Sequence, residues 1–148
     1  MGETEHLWLA RTLRRLAFFA DMTLGQLELI LPHIELHQVS PGIPVITPGE
    51  DPRAIYILYR GKVSVRRKMW LLGRPEEVAR LGDGDFFGEM AILEGRRHKS
   101  WVTAEEECLL FMLPATQFRY VLERNPALLA GLRKLSEERR KAERAARA

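Results

Sequence analysis

The sequence predicts a mainly β fold, a run of short antiparallel strands closing into a barrel or sandwich with helices at both ends. Two observations carry this. Eight of the eleven glycines lie between Gly42 and Gly95, and Gly49, Gly61, Gly73, Gly84 and Gly95 are separated by 12, 12, 11 and 11 residues. That is the spacing of turns between short strands. Between the glycines, Ala54-Ile-Tyr-Ile-Leu-Tyr-Arg60 and Lys62-Val-Ser-Val-Arg-Arg-Lys68 alternate, with one face apolar and the other mixed or polar, as half-buried strands do.

Residues 1–32 form an N-terminal helical segment. Leu9, Leu13, Leu16 and Ala20 fall at helical spacing, and Thr23-Leu-Gly-Gln26 is a capping box that opens a second helix through Leu31, with Pro32 marking its end. The strands occupy residues 33–114. Gly61 reads as a tight reversal between the two alternating runs, and Trp101-Val-Thr-Ala and Leu109 to Leu113 supply the last strands. Two helices occupy 115–148. Phe118, Val121 and Leu122 share one face of the first, and Asn125 caps the second, with Pro126 in its first turn. Leu128, Leu132 and Leu135 continue the second helix's apolar stripe, which fades into charge and alanine beyond Ser136. The three segments are expected to make one domain.

Composition excludes several classes. The 148 residues hold no apolar run near the roughly 18 needed to span a bilayer, and the N-terminus lacks a secretion signal, so a cytoplasmic location is expected. The single cysteine, Cys108, lies in the apolar stretch Cys-Leu-Leu-Phe-Met-Leu and reads as a small core residue. The histidines, His6, His33, His37 and His98, include no His-x-His pair, which argues against a cupin-type metalloenzyme. No nucleophile with a partnered base stands out, so no catalytic residue and no metal site is assigned, and the chain is expected not to be an enzyme.

The net charge of +3 is uneven. Residues 133–148 carry seven Lys/Arg and three Glu, a local +4, while the rest of the chain sums to −1. A basic helix end can meet nucleic acid or an acidic surface. Here the interleaved glutamates favour local ion pairs and a solvated tail.

The informative stretch is Leu81-Gly-Asp-Gly-Asp-Phe-Phe-Gly-Glu-Met-Ala-Ile-Leu-Glu-Gly-Arg-Arg-His-Lys-Ser-Trp-Val102. Gly84-Asp85 turns into a short strand ending at Phe87, Gly88 lets the backbone pass close to a neighbour, and Glu89 to Leu93 suits one helical turn. The start of such a turn offers amide hydrogens to an anion. Arg96, Arg97, His98 and Lys99 follow. A carboxylate, exposed amides and several cations together fit a small ligand with hydroxyl and anionic groups.

This segment, Leu-x-x-Gly-Asp-x-Phe-Gly-Glu-x-Ala-x-Leu over Leu81 to Leu93, resembles the phosphate-binding cassette of the cyclic-nucleotide-binding domain family. That family includes the catabolite activators, the regulatory subunits of cyclic-AMP-dependent kinase and cyclic-nucleotide-gated channels. Pro41 to Glu50 resembles its early strands, Ile55 to Val65 its central hairpin and Phe118 to Pro126 its penultimate helix. The resemblance runs from about Leu16 to Leu135 and implies an antiparallel β-roll, a jelly-roll-like barrel, with the cassette at 84–102.

The resemblance also implies roles. Gly88 and Glu89 match the ribose-facing positions, with Glu89 accepting from the 2′-hydroxyl. Met90 and Ala91 match the turn whose amides face the cyclic phosphate, and Ser100 and Trp101 are compatible with the family. The phosphate-pairing arginine of the family is His98 here, with Lys99 after it and Arg97 where the family has proline. An imidazole with an ordinary pKa near 6.5 is mostly neutral at neutral pH, so the phosphate site is weakened, with Lys99 or Arg97 able to restore charge.

The ligand-binding set is therefore Gly88, Glu89, Met90, Ala91, His98, Lys99 and Ser100, and the expected function is a regulatory sensor. It takes cyclic AMP, cyclic GMP or a related anionic ribonucleotide weakly, needs no other cofactor and moves its C-terminal helix on binding. The alternative is a degenerate member acting as an interaction or dimerisation module without nucleotide. A homodimer through the C-terminal helix is one expected partnership. No DNA-binding domain and no membrane segment is expected in this chain. Trp70-Leu-Leu72 packs partly on the barrel or meets a partner, and Arg133 and Ser136 are candidates to touch a base.

Overall fold

The computed structural model describes residues 10–15, 19–68 and 73–145. Leu9, Leu16 and the Trp70-Leu-Leu72 segment lie outside them. Eight strands run in chain order: β1 (Glu35–Val39), β2 (Pro44–Ile46), β3 (Ala54–Arg60), β4 (Val63–Lys68), β5 (Pro75–Leu81), β6 (Phe86–Phe87), β7 (Trp101–Ala104) and β8 (Cys108–Pro114). They form two four-stranded sheets, ordered β1-β8-β3-β6 and β2-β7-β4-β5, with antiparallel pairing throughout. The strands thus make a roll of two sheets, not one closed barrel.

One apolar cluster, including Ile46, Leu58, Val63, Val65, Phe87, Val102 and Leu110, draws on both sheets and fills the space between them. A second joins Ile55, Ile57, Phe111 and Leu113 to the helices. Strand β3 therefore buries both its faces, Leu58 inward and Ile55 and Ile57 towards the helices, which explains why its mixed face still carries large side chains.

Gly61 is not the tip of a hairpin. Strands β3 and β4 belong to different sheets and do not pair, so Gly61 is where the chain crosses between them. Its φ is 120°, and a Cβ there would lie 2.6 Å from Cys108 Sγ and 2.9 Å from both Cys108 Cα and the Glu107 carbonyl oxygen. Two apolar runs around one glycine are the same in a hairpin and in a sheet crossing, so the sequence does not separate them. Cys108 is fully buried, and burial raises its thiol pKa, as expected of a core residue.

The helices follow the sequence closely. Helix α1 (Leu24–Ile30) begins at the reciprocal capping box of Thr23 and Gln26. The α-helix ends as expected just before Pro32, at Ile30 with Leu31 as its cap, and Pro32 sits in a following 3-10 turn, Leu31–His33, where its missing N–H is tolerated in the first turn. Helix α2 (Glu89–Glu94) is the single turn of the cassette. Helices α3 (Ala115–Arg124) and α4 (Pro126–Ala145) close the described chain, and the Leu128 amide donates to Asn125 Oδ1 at 3.0 Å, the expected cap.

Leu128 and Leu132 are each 2% exposed, but Leu135 is 44% exposed and leaves the stripe. The buried face passes instead to Ser136 and Glu143, at 4% and 6%. The stripe does not fade after Ser136. It becomes polar: Arg139, Arg140 and Glu143 turn inward, while Glu137, Glu138, Lys141, Ala142, Arg144 and Ala145 on the other side stay exposed as a solvated tail would.

Candidate functional site

The cassette is shaped by its own turn. Asp85 accepts from the Gly82 amide through its carboxylate at 2.9 Å and donates its own N–H to the Gly82 carbonyl at 3.0 Å. Leu58 ties the turn to β3, donating to the Asp85 carbonyl at 2.7 Å and accepting from the Gly84 amide at 2.6 Å. The turn delivers β6, whose Phe87 stacks on Tyr56 at 5.2 Å between ring centroids. Gly88 then takes φ 89°, and a Cβ there would press within 3.3 Å of the Ala54 carbonyl and the Tyr56 ring. A glycine is required both for the left-handed backbone and for this close approach. The result turns Glu89, first residue of α2, inward.

Glu89 is 1% exposed. Its Oε1 accepts from Ser136 Oγ at 3.2 Å and from the Arg139 guanidinium at 3.4 Å. The same Arg139 nitrogen donates to the Phe86 carbonyl at 2.7 Å, and its guanidinium lies 4.9 Å from the centre of the Phe86 ring. Burial pushes the Glu89 carboxyl above its ordinary pKa, with Arg139 and Ser136 pulling it back.

Around Glu89 lies a cavity of about 300 Å³ between the cassette, β4 and α4, at the small end of ligand clefts. Gly88, Glu89, Met90, Ala91, His98, Lys99 and Ser100 all line it. Arg97 does not. Its side chain reaches out to the Gly49 carbonyl at 3.1 Å and to Asp51 at 3.5 Å, and it is 71% exposed, so it does not restore charge to the cavity.

His98 is 8% exposed, and its backbone is fastened to the neighbouring loop. Its amide donates to the Glu50 carbonyl at 3.0 Å, and its carbonyl accepts from the Gly49 amide at 2.9 Å. Burial holds its imidazole pKa below the ordinary value, with Glu50 opposing and Arg96 adding to the depression. The ring is therefore neutral at neutral pH.

The remaining wall was not singled out from the sequence. Arg67 from β4 and Arg139, Arg140 and Glu143 from α4 all line the cavity. Arg67 Nε donates to Ser100 Oγ at 2.8 Å, and its terminal nitrogen pairs with Glu143 at 3.0 Å. Arg140 and Arg96 both pair with Glu94, at the end of α2, and hold its carboxyl below the ordinary range. Ser136, a positional candidate, lines the cavity, whereas Arg133 does not. One signal was available: positions 128, 132, 136, 139 and 143 step by four, four, three and four, which continues one helix face.

The chain resembles known proteins in both sequence and structure. The Cyclic nucleotide-binding domain family matches residues 36–125. The cAMP-activated global transcriptional regulator CRP of Pasteurella multocida is 31% identical over 107 residues, 72% of this chain and 51% of that protein. A cyclic nucleotide-gated potassium channel of Rhizobium etli is 30% identical over 102 residues, 69% of this chain and 27% of the channel. The chain thus spans about half the length of the regulator and about a quarter of the channel.

The regulatory domain of Toxoplasma gondii PKA, solved with cAMP, superposes with a TM-score of 0.83, covering 91% of this chain and 51% of that one at 18% identity. At that identity the likeness is one of fold. No helix among the described residues is long and apolar enough to cross a membrane. On the match over residues 36–125 and the two relatives, the chain belongs to the cyclic nucleotide-binding domain family.

Proposed function

We propose that this chain is a regulatory sensor domain whose cavity takes an anionic ribonucleotide, cyclic AMP or a close relative, and whose α4 shifts when it does. One observation carries the reading: the buried Glu89 carboxylate lies in the cavity, and its partners, Ser136 and Arg139, come from the helix that covers it. A ribose 2′-hydroxyl donating to Glu89 competes with those contacts. Ligand binding and the position of α4 are then linked through one carboxylate.

In this reading Gly88 and Glu89 meet the ribose. Met90, Ala91, His98, Lys99 and Ser100 form the anion side, and no residue does chemistry. The relatives' names support the ligand class, since one is cAMP-activated and one is cyclic nucleotide-gated. The domain would act as one unit within a larger regulator or with a separate partner.

A second reading, an interaction module without nucleotide, is favoured by one observation: Glu89, Glu94 and Arg67 are each already paired within the chain. The two readings part in a thermal melt with cyclic AMP, cyclic GMP and adenosine monophosphate. A ligand that prefers the native state raises the melting temperature with its concentration. A rise with a cyclic nucleotide supports the sensor, and no rise with any of them at millimolar concentration supports the module.

A further inference from the structure

The cassette has a neutral imidazole where an anion needs a cation, yet a guanidinium from β4 lines the same cavity. Val65 and Arg67 are two apart on β4 and so share a face. Val65 joins the cluster between the sheets, and Arg67, one step further along, reaches the cavity. Its Nε is fixed by Ser100 Oγ at 2.8 Å, two residues after His98. Its terminal nitrogen is held by the Glu143 carboxylate of α4 at 3.0 Å. Arg67 is 34% exposed at its side chain and Glu143 only 8%, so the pair sits largely out of water.

We propose that Arg67 is the cation that anchors the ligand's anionic group, and that Glu143 is the chain's own competitor for it. The proposal rests on the nucleotide reading above and deepens it by naming the residue that sets the preference for a charged ligand. A guanidinium already oriented by Ser100 presents a planar fork, which pairs with phosphate oxygens as well as with a carboxylate. A phosphate and the Glu143 carboxylate cannot share that fork without like-charge repulsion at close range. The incoming anion therefore displaces Glu143 and loosens the far end of α4, while the hydroxyl at Glu89 acts on its middle. By reciprocity, whatever weakens the Arg67–Glu143 pair strengthens the anion's hold. Lys99, which is exposed, adds attraction but no fixed geometry.

The test is calorimetric titration of wild type, Arg67→Ala, Arg67→Lys and Glu143→Gln with cyclic AMP and with adenosine, joined to a thermal melt of the same four proteins with inorganic pyrophosphate. Arg67→Ala is expected to weaken cyclic AMP by about tenfold or more, the return of a charge-assisted hydrogen bond, and to leave adenosine within about twofold. Arg67→Lys falls between, since a point charge replaces the fork. Glu143→Gln is expected to tighten cyclic AMP about threefold or more, as the carboxylate that competes for Arg67 is removed.

Cyclic AMP affinity unchanged in Arg67→Ala, or an equal loss for cyclic AMP and adenosine, overturns the assignment. If wild type binds no cyclic nucleotide, the nucleotide reading fails and pyrophosphate decides the rest. Stabilisation of wild type but not of Arg67→Ala keeps Arg67 as an anion anchor. No stabilisation of wild type, or equal stabilisation of both, removes that role.

Discussion

Arg139 of α4 reaches Glu89 of α2 at 3.4 Å across fifty residues of sequence and, with the same nitrogen, holds the Phe86 carbonyl at 2.7 Å. The contact joins the last helix to the innermost carboxylate of the cassette. It makes Glu89 a structural partner in the chain alone and a ligand partner in the proposed complex.

The first prediction concerns Glu89 as a buried acid. Its folded pKa is raised by burial above the ordinary value of 4.5. The folded state then binds more protons than the unfolded one between the ordinary and the raised pKa, so this group's contribution to stability declines as pH rises through that window. Glu89→Gln removes the titration. The melting temperature of Glu89→Gln relative to wild type should therefore climb as pH is raised from about 4.5 towards neutrality. A difference that stays constant with pH would show that Arg139 and Ser136 fully offset the burial.

The second concerns the tail. Truncation after Ser136 removes Arg139 from Glu89, Glu143 from Arg67 and Arg140 from Glu94. Losing several such contacts, one to a buried carboxylate, should cost about 1–3 kcal/mol. At about 2–4 °C per kcal/mol for a chain of this size, calorimetric melting should fall by several degrees. A truncated chain melting with wild type would mean that α4 beyond Ser136 does not hold the site.

The third concerns His98. Because burial depresses its pKa, affinity for cyclic AMP should be flat between pH 8 and 7 and should rise only as pH falls below the ordinary histidine value near 6.5, where the bound anion draws a proton onto the ring. His98→Arg should raise affinity at neutral pH by about tenfold and flatten the acid-side rise. Titrations at three pH values check both. A wild-type affinity that does not change down to pH 5.5 would take His98 out of the anion side.

The fourth concerns the sheet crossing. Gly61→Ala puts a methyl within 2.6 Å of Cys108 Sγ and 2.9 Å of backbone atoms, at φ 120°. The strained backbone alone should cost about 1–3 kcal/mol. Replacing Cys108 by alanine should not rescue it, because the Cys108 Cα and the Glu107 carbonyl remain. Denaturant melts of the single and double variants measure this, and full rescue would place the clash at the sulfur only.

Much of this was legible from the residues. The glycine spacing and alternation point to the strands, the capping box to α1, Asn125-Pro126 to the start of α4, and the cassette motif to seven residues that line one cavity. What escaped was non-local. Whether Gly61 turns a hairpin or a sheet crossing depends on which strands pair, and that is decided by β7 and β8, some forty residues later. Arg67, Arg139 and Glu143 look like solvated charges because each has its partner far along the chain; the spacing of 136, 139 and 143 behind Leu128 and Leu132 marks the helical pair as inward, while Arg67 on its strand carries no such mark. The departure at His98 was visible, but Arg67, which lines the same cavity, is thirty-one residues away in sequence.

We propose that Glu89 reads a ribonucleotide through its 2′-hydroxyl in the cavity beneath α4. The most direct measurement is isothermal titration of wild type and Glu89→Ala with cyclic AMP and with 2′-deoxy cyclic AMP. Wild type is expected to prefer the ribonucleotide, and Glu89→Ala to lose about tenfold in affinity for it while changing little towards the deoxy ligand. Equal affinity of wild type for the two ligands, or equal losses for both in the variant, would contradict it.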